Sequence, residues 1–300
     1  ESWDLSGFDL VVSTSHCVAK AAKRGPRGFH VCYCHTPVRY LHDQFEDYLR
    51  GRGAVVRAAA RLARAPLRAR DVATVPRVDA FLANSENVKE RIARIYRRDA
   101  LVVPAPADTA FYTPDPEPRR REGLLVVSAL APYKRLDDAV EAASRLGVPL
   151  TVAGFGPEER RLRALAGPDV RFAGSPSDEE LRGLYRSARA VLMPGEEDFG
   201  IVPLEAQACG TPVVALGKGG ALETVVDGVT GVLYPEAGPG PLAKAVERAL
   251  ATRFEADALV ANARRFSEPA FRARFLEASR SVLAAAGRDD LSAALPRPDP

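Results

Sequence analysis

Long apolar runs are missing from this 300-residue sequence. None approaches the roughly 20 residues that a membrane-crossing helix needs, and no secretory signal is visible. Cysteine is scarce. Cys17, Cys32, Cys34 and Cys209 are too few and too scattered for a disulfide framework, so reduced thiols and a cytoplasmic setting are expected. Cys32 and Cys34, expected on opposite faces of a strand, are taken as a poor metal pair. An excess of charge is lacking too. Lys and Arg number 42 against 39 Asp and Glu, a formal net charge of +3, so no global basic field calls for nucleic acid. The four histidines, His16, His30, His35 and His42, stand at no useful spacing from acidic residues, and no metal or bound cofactor is expected. An initiating Met is absent as well. The chain opens at Glu1 and passes almost at once into a strand, so the first domain is expected to be truncated on its N-terminal side.

What is present is an ordinary globular composition, 46% hydrophobic and 27% charged. Strand-like runs at Phe8–Val12, His30–Cys34, Ala80–Ala83, Leu101–Val103, Leu124–Val127, Leu150–Ala153, Val170–Phe172, Ala190–Met193, Val213–Ala215 and Gly231–Leu233 alternate with helical patterns. That rhythm predicts doubly wound α/β domains with parallel sheets. Five prolines between residues 104 and 122 mark a linker. The expected division is a partial first domain over 1–107, a second over 108–265, a helix over 266–287 and a disordered tail over 288–300.

One segment carries chemistry. The strand Ala190–Met193 runs into Pro194-Gly195-Glu196-Glu197-Asp198-Phe199-Gly200, and a short helix then continues through Glu205 to Gly210. A loop at the carboxyl end of a strand, leading into a helix N-terminus, is where open α/β sheets take ligands. The free amides there favour an anion such as a diphosphate, and Gly200 would permit close approach. Glu197 on the loop and Glu205 in the helix can each accept from a pair of vicinal hydroxyls. Glu196 and Asp198 read better as electrostatic caps. Lys134 and Arg135 lie at the start of another helix, where a cation is unfavourable unless an anion shares the site. Lys134 is the stronger candidate, because Arg135 also reads as a solvated loop-end residue. Gly154-Phe155-Gly156-Pro157 is a G-x-G turn without the third glycine of a dinucleotide site. Gly217–Gly220 is a glycine-rich loop, either a flexible turn or a pocket wall. Residues 54–70 form an Arg/Ala-rich helix with its arginines expected all round it. A solvated surface helix is favoured there over contact with an anionic membrane.

Taken together, these segments resemble glycosyltransferase family 4. The run Glu197-x-Phe199-Gly200-Ile201-x-x-x-Glu205 is similar to its E-x7-E motif. Tyr133-Lys134-Arg135, Val152–Pro157, Val170–Gly174, Gly210–Ala215, Gly219–Glu223 and Asp227–Gly231 are similar to flanking segments of that family. His35–Tyr40 and Asn84-Ser85-Glu86 resemble bacterial mannosyltransferase-like members that build O-antigen or other surface polysaccharides. The resemblance implies a GT-B fold, two Rossmann-like domains facing a cleft, with the last helix crossing back to the first domain. It implies sugar transfer with retention, without a metal, from a nucleoside-diphosphate sugar, GDP-mannose being favoured, to a lipid-linked or saccharide acceptor at the inner face of the membrane. Lys134 would bind the diphosphate, with the backbone near Gly200 and Ile201. Glu197 would hold the transferred sugar and Glu205 the ribose. His35 would approach the sugar from the acceptor side. Arg135, Gly154, Gly156 and Phe199 complete the expected donor site. Where many members carry an arginine two residues after the strand, this sequence has Ala129, which leaves the diphosphate to Lys134 and Arg135.

Overall fold

The computed structural model describes residues 3–49, 51, 53–117 and 120–296. The chain forms two compact units. One runs from the N-terminal end to Ala105 and resumes at Phe271; the other is Pro106–Ala270.

The first unit begins with β1 (Asp4–Leu5), β2 (Leu10–Ser15), β3 (Lys23–Arg24) and β4 (Phe29–Cys34). Helices α1 (Phe45–Leu49) and α2 (Ala54–Ala73), strand β5 (Ala80–Ala83), helix α3 (Glu86–Tyr96) and strand β6 (Ala100–Val102) follow. β2, β4, β5 and β6 make a four-stranded parallel sheet in that order, while β1 and β3 pair separately. β4 is buried along its whole length, with His30 the polar side chain in an otherwise apolar run. Ser85 caps α3 by accepting from the Val88 amide, so the helix starts where the Asn84-Ser85-Glu86 segment places it. Cys32 and Cys34 both pack against Val75, Phe81 and Ile92. Residues two apart in a strand share a face, so the expected opposite faces are wrong.

The second unit holds β7 (Leu124–Val127), a 3-10 turn at Pro132–Lys134, α4 (Leu136–Leu146), β8 (Leu150–Ala153), α5 (Glu159–Leu165), β9 (Val170–Gly174) and α6 (Asp178–Ser187). It continues through β10 (Ala190–Met193), α7 (Val202–Ala208), β11 (Val213–Leu216), α8 (Ala221–Thr224), β12 (Gly231–Tyr234), α9 (Pro239–Ala251) and α10 (Ala256–Arg264). Its six strands are parallel in the order β12-β11-β10-β7-β8-β9. Chain order reverses between β7 and β10, so the loops leaving their carboxyl ends are neighbours. Apolar clusters cover both faces of this sheet, which is why its strands read as continuous apolar runs rather than alternating ones.

Helix α11 (Glu268–Ala285) leads back to the first unit, where Phe271, Phe275 and Leu283 pack with Phe29, Val31 and Tyr33. Helix α12 (Asp289–Ala294) follows and buries Leu291 in the same cluster. The disordered tail expected over 288–300 is thereby corrected for 288–296, while 297–300 lie outside the described residues. Asp289 and Asp290 favour the start of α12, and Arg288 pairs with Asp290 at 3.1 Å.

The segment expected as a linker also differs. Asp108 accepts from the Ala110 and Phe111 amides, Tyr112 is buried, and Arg186 donates to the Thr113 carbonyl at 2.7 Å. Side-chain anchoring holds this proline-rich stretch on the second unit; residues 118 and 119 lie outside the described ones.

Four of the five arginines of α2 gather on one side, with Arg70 opposite them. At 100° per residue, Arg57, Arg61, Arg64 and Arg68 fall in one stripe. Arg64 donates to the Leu41 and His42 carbonyls and Arg61 pairs with Glu46, while Val55 and Leu62 on the other side are 83% and 82% exposed.

Candidate functional site

Two loops at the centre of the six-stranded sheet build the site. After β7 the chain passes Ser128–Ala131 into the turn Pro132–Lys134. Arg135 then adopts a left-handed backbone, φ 54° and ψ 37°, before α4 begins. After β10 the chain passes Pro194–Gly200, and α7 starts with Ile201 as its N-cap.

Glycines let these loops approach. A Cβ on Gly195 would stand 2.9 Å from the Cα of Lys134, so a side chain there would push the loops apart. At Gly154, where φ is +129°, it would lie 1.9 Å from the Ser128 carbonyl oxygen, and at Gly156, 2.5 Å from that of Leu130. Backbone bonds from Ser128 to Ala153, from Leu130 to Phe155 and from Glu158 to Leu130 complete the brace. Gly154 and Gly156 therefore hold the Lys134 loop in place by close packing. On the other side Gly220 sits on Phe199, where a Cβ would come within 2.3 Å of the Phe199 Cα, and the Gly220 amide donates to the Glu197 carbonyl at 2.9 Å. Phe199 is buried edge-on to Phe266, with ring centroids 5.7 Å apart.

Within this frame the Lys134 ammonium donates to the Glu197 carboxylate. Both side chains remain partly exposed, at 16% and 21%. Arg135 turns the other way and pairs with the buried Asp138 at 2.8 Å, so its charge is already matched by a partner. Burial pushes the Asp138 carboxyl up from its ordinary value, with the Arg135 hydrogen bond opposing.

Glu205, in the first turn of α7, accepts from the Tyr185 hydroxyl at 2.7 Å. Burial raises its pKa and the Tyr185 bond pulls it back. Gly200, with φ +93°, leads into Ile201, which is 43% exposed at the helix start. The first amides of a helix have no intrahelical acceptor and point out along its axis.

Lys134, Arg135, Gly154, Gly156, Glu197, Phe199, Gly200, Ile201 and Glu205 thus belong to one unit. His35 belongs to the other. It follows β4, its amide donates to the Ser15 carbonyl at 2.8 Å, and its ring meets Tyr33 edge-on. Burial, and then the neighbouring His16, lower its pKa. Reading the sequence missed Tyr185 and the close packing of Gly195, and gave Gly220 only as part of a glycine-rich turn or pocket wall. A tyrosine near the end of an amphipathic helix gives no signal beyond core packing, and the two glycines declare themselves through tertiary approach.

Residues 114–266 match the family model described as Glycosyl transferases group 1. The D-inositol 3-phosphate glycosyltransferase of Geodermatophilus obscurus is 35% identical over 226 residues, which is 64% of this chain and 49% of that relative. The chain spans about half the length of the curated relatives it matches. Among solved structures, the sucrose-phosphate synthase of Thermosynechococcus elongatus is similar with a TM-score of 0.69 and 21% identity. That match covers 93% of this chain and 75% of the other. Anabaena HepE in complex with UDP is similar with a TM-score of 0.67 and 21% identity over 85% and 73%. The expected α/β fold of the GT-B class is the fold of these neighbours.

Proposed function

The chain belongs to the group 1 glycosyl transferases, and on that premise we propose that it moves a sugar from a nucleoside-diphosphate sugar to a saccharide or lipid-linked acceptor, with retention. The observation that carries the reading is the Lys134–Glu197 pair, which joins the loops leaving the two central strands β7 and β10. A cation and a carboxylate held side by side at a topological switch point suit a ligand with both an anionic part and hydroxyls.

On donor binding Lys134 exchanges Glu197 for the diphosphate, and Glu197 turns to the hydroxyls of the sugar. As the diphosphate departs, negative charge grows on the leaving oxygen and an oxocarbenium-like sugar forms. Lys134 and the first amides of α7 stabilise that charge where it develops. The acceptor hydroxyl then attacks from the face the diphosphate leaves and gives its proton to the departing diphosphate oxygen, with His35 on the acceptor side. Arg135 contributes less, because Asp138 already neutralises it. Glu205 holds the ribose.

The first-unit motifs favour mannose from GDP-mannose, while the UDP bound by HepE favours a UDP-sugar. A thermal-shift panel of GDP-, UDP- and ADP-sugars separates them, since bound ligand raises apparent stability with occupancy. No shift with any of the three would remove the proposal.

A lipid-linked acceptor would bring α2 to an anionic membrane. Val55 and Leu62 project outward on the side of α2 opposite the arginine stripe, and with the exposed Arg57, Arg68 and Arg70 they support a peripheral contact. Pelleting with phosphatidylglycerol vesicles that weakens with salt is the expected result, and salt-independent absence of binding removes it. No helix among the described residues is long and apolar enough to cross a membrane.

A further inference from the structure

Tyr185 lies in the last turn of α6 with no exposed surface, packed among Leu125, Val191 and Ala206 and edge-on to Tyr112 at 5.6 Å. A phenol so placed needs a partner for its hydroxyl. That partner is Glu205 Oε2, at 2.7 Å. The backbone of Tyr185 is fixed as well, because its carbonyl accepts from Thr211 Oγ1 at 2.6 Å and from Arg121 at 3.3 Å. Among the described residues Oε1 of Glu205 has no donor.

We propose that Tyr185 is a positioning residue for Glu205, holding its carboxylate in the orientation that grips the donor's ribose and so setting a preference for ribonucleotides. The inference rests on the ribose reading of Glu205 and adds to it the residue that makes the grip directional. A carboxylate has about four acceptor directions. Tyr185 occupies one and leaves the rest for two vicinal hydroxyls. The terminal torsion of a glutamate is broad when nothing holds it; the Tyr185 bond removes that freedom.

The same bond favours the ionised carboxylate. Burial favours its protonated form, and the nearby acids Asp178 on α6 and Asp108 before β7 push the same way. Tyr112 and Cys209, also close to Glu205, are themselves raised by burial and stay neutral. Tyr185 is raised too, and remains a donor across the working pH range.

The test is isothermal titration of the wild type, Tyr185→Phe and Glu205→Gln with UDP and GDP and their 2′,3′-dideoxy forms, from pH 6 to 8.5. Wild type should bind the ribose form of its preferred nucleotide at least on the order of 100-fold more tightly than the dideoxy form, the effect of two hydrogen bonds to a charged acceptor. Glu205→Gln should narrow that ratio to a few-fold. Tyr185→Phe should narrow it to about five-fold and move the pH midpoint of the preference upward, with dideoxy affinity unchanged. A wild type that ignores the ribose hydroxyls overturns the reading of Glu205 itself. A wild type that discriminates, with Tyr185→Phe matching it in ratio and midpoint, overturns the positioning role alone. Equal loss of both nucleotide forms in Tyr185→Phe overturns it as well, because the tyrosine would then only be supporting the fold.

Discussion

Lys134 and Glu197, 63 positions apart in the chain, meet in a partly exposed ion pair. Each keeps the other in place until a ligand separates them. The pair is worth little to the fold, since exposed pairs contribute about 0–1 kcal/mol. In the proposed reaction its part is larger. Lys134→Ala and Glu197→Ala should each lower transfer about 100-fold or more, with urea midpoints close to wild type. Turnover near normal in either variant would remove the assignment. Glu197→Gln should do something further. With its partner neutral, Lys134 is free for the diphosphate, so the bare nucleoside diphosphate should bind several-fold more tightly while transfer falls.

Gly154 and Gly156 offer a steric test. Alanine at either would drive a methyl group into a backbone carbonyl of the Ser128–Leu130 segment. Each substitution should cost about 1–3 kcal/mol in denaturant unfolding and weaken nucleotide binding, because the brace that carries Lys134 must move. Gly217→Ala is the control: a Cβ there meets its nearest atom at 3.4 Å, and the effect should be small.

The histidines predict an acid limb in stability. His30 is fully buried, with its ring 2.7 Å from Ser13 Oγ and 2.9 Å from the Arg77 carbonyl. Burial lowers its pKa below the ordinary value near 6.5. The unfolded chain therefore binds a proton that the folded chain refuses. This contribution is complete above pH 6.5 and is lost as pH falls from there toward the folded value. His35 acts in the same sense. Urea midpoints should be flat from pH 7.5 to 8.5 and decline below pH 6.5, with a shallower decline in His30→Asn.

Thiol reactivity should separate one cysteine from three. Cys17 is partly exposed, beside the Tyr40 hydroxyl at 3.1 Å. Cys32, Cys34 and Cys209 are buried, and burial pushes the thiols of Cys32 and Cys209 up to about 11 and about 12. Iodoacetamide at pH 8 should label Cys17 promptly in the native protein, and the others only after unfolding. Early labelling of Cys209 by mass mapping would show α7 to be looser than its packing implies.

The parallel strands are legible in the sequence because burial on both faces leaves unbroken apolar runs, and Leu124–Val127 and Ala190–Met193 are found at the residues the pattern names. β1 and β3, two residues each, have no such run and escape notice. Lys134 and Glu205 could be read because their residue types conflict with local structure, a cation at a helix start and a carboxylate between Leu204 and Ala206, and Glu197 because it lies on the loop at the carboxyl end of a strand. Gly195 and Tyr185 conflict with nothing local. Their roles exist only when the loops after β7 and β10, and the helices α6 and α7, come alongside one another. Helix α12 was hidden by composition, since the prolines and aspartates around it outweigh one buried leucine. The arginine stripe of α2 is hidden in the linear sequence, because Arg57, Arg61, Arg64 and Arg68 align only at 100° per residue while Arg70 falls opposite.

The order β12-β11-β10-β7-β8-β9 has a consequence for synthesis. β7 leaves the ribosome early, but its partner toward the switch point, β10, ends only at Met193, after two further strands have been made. A nascent chain halted before then carries Lys134 with nothing facing it. Parallel pairing across so long a connection forms late, so nucleotide affinity should emerge in one step when the carboxylate loop emerges, never gradually. A ribosome-bound series of increasing length would carry that step as a timestamp on the closing of the sheet.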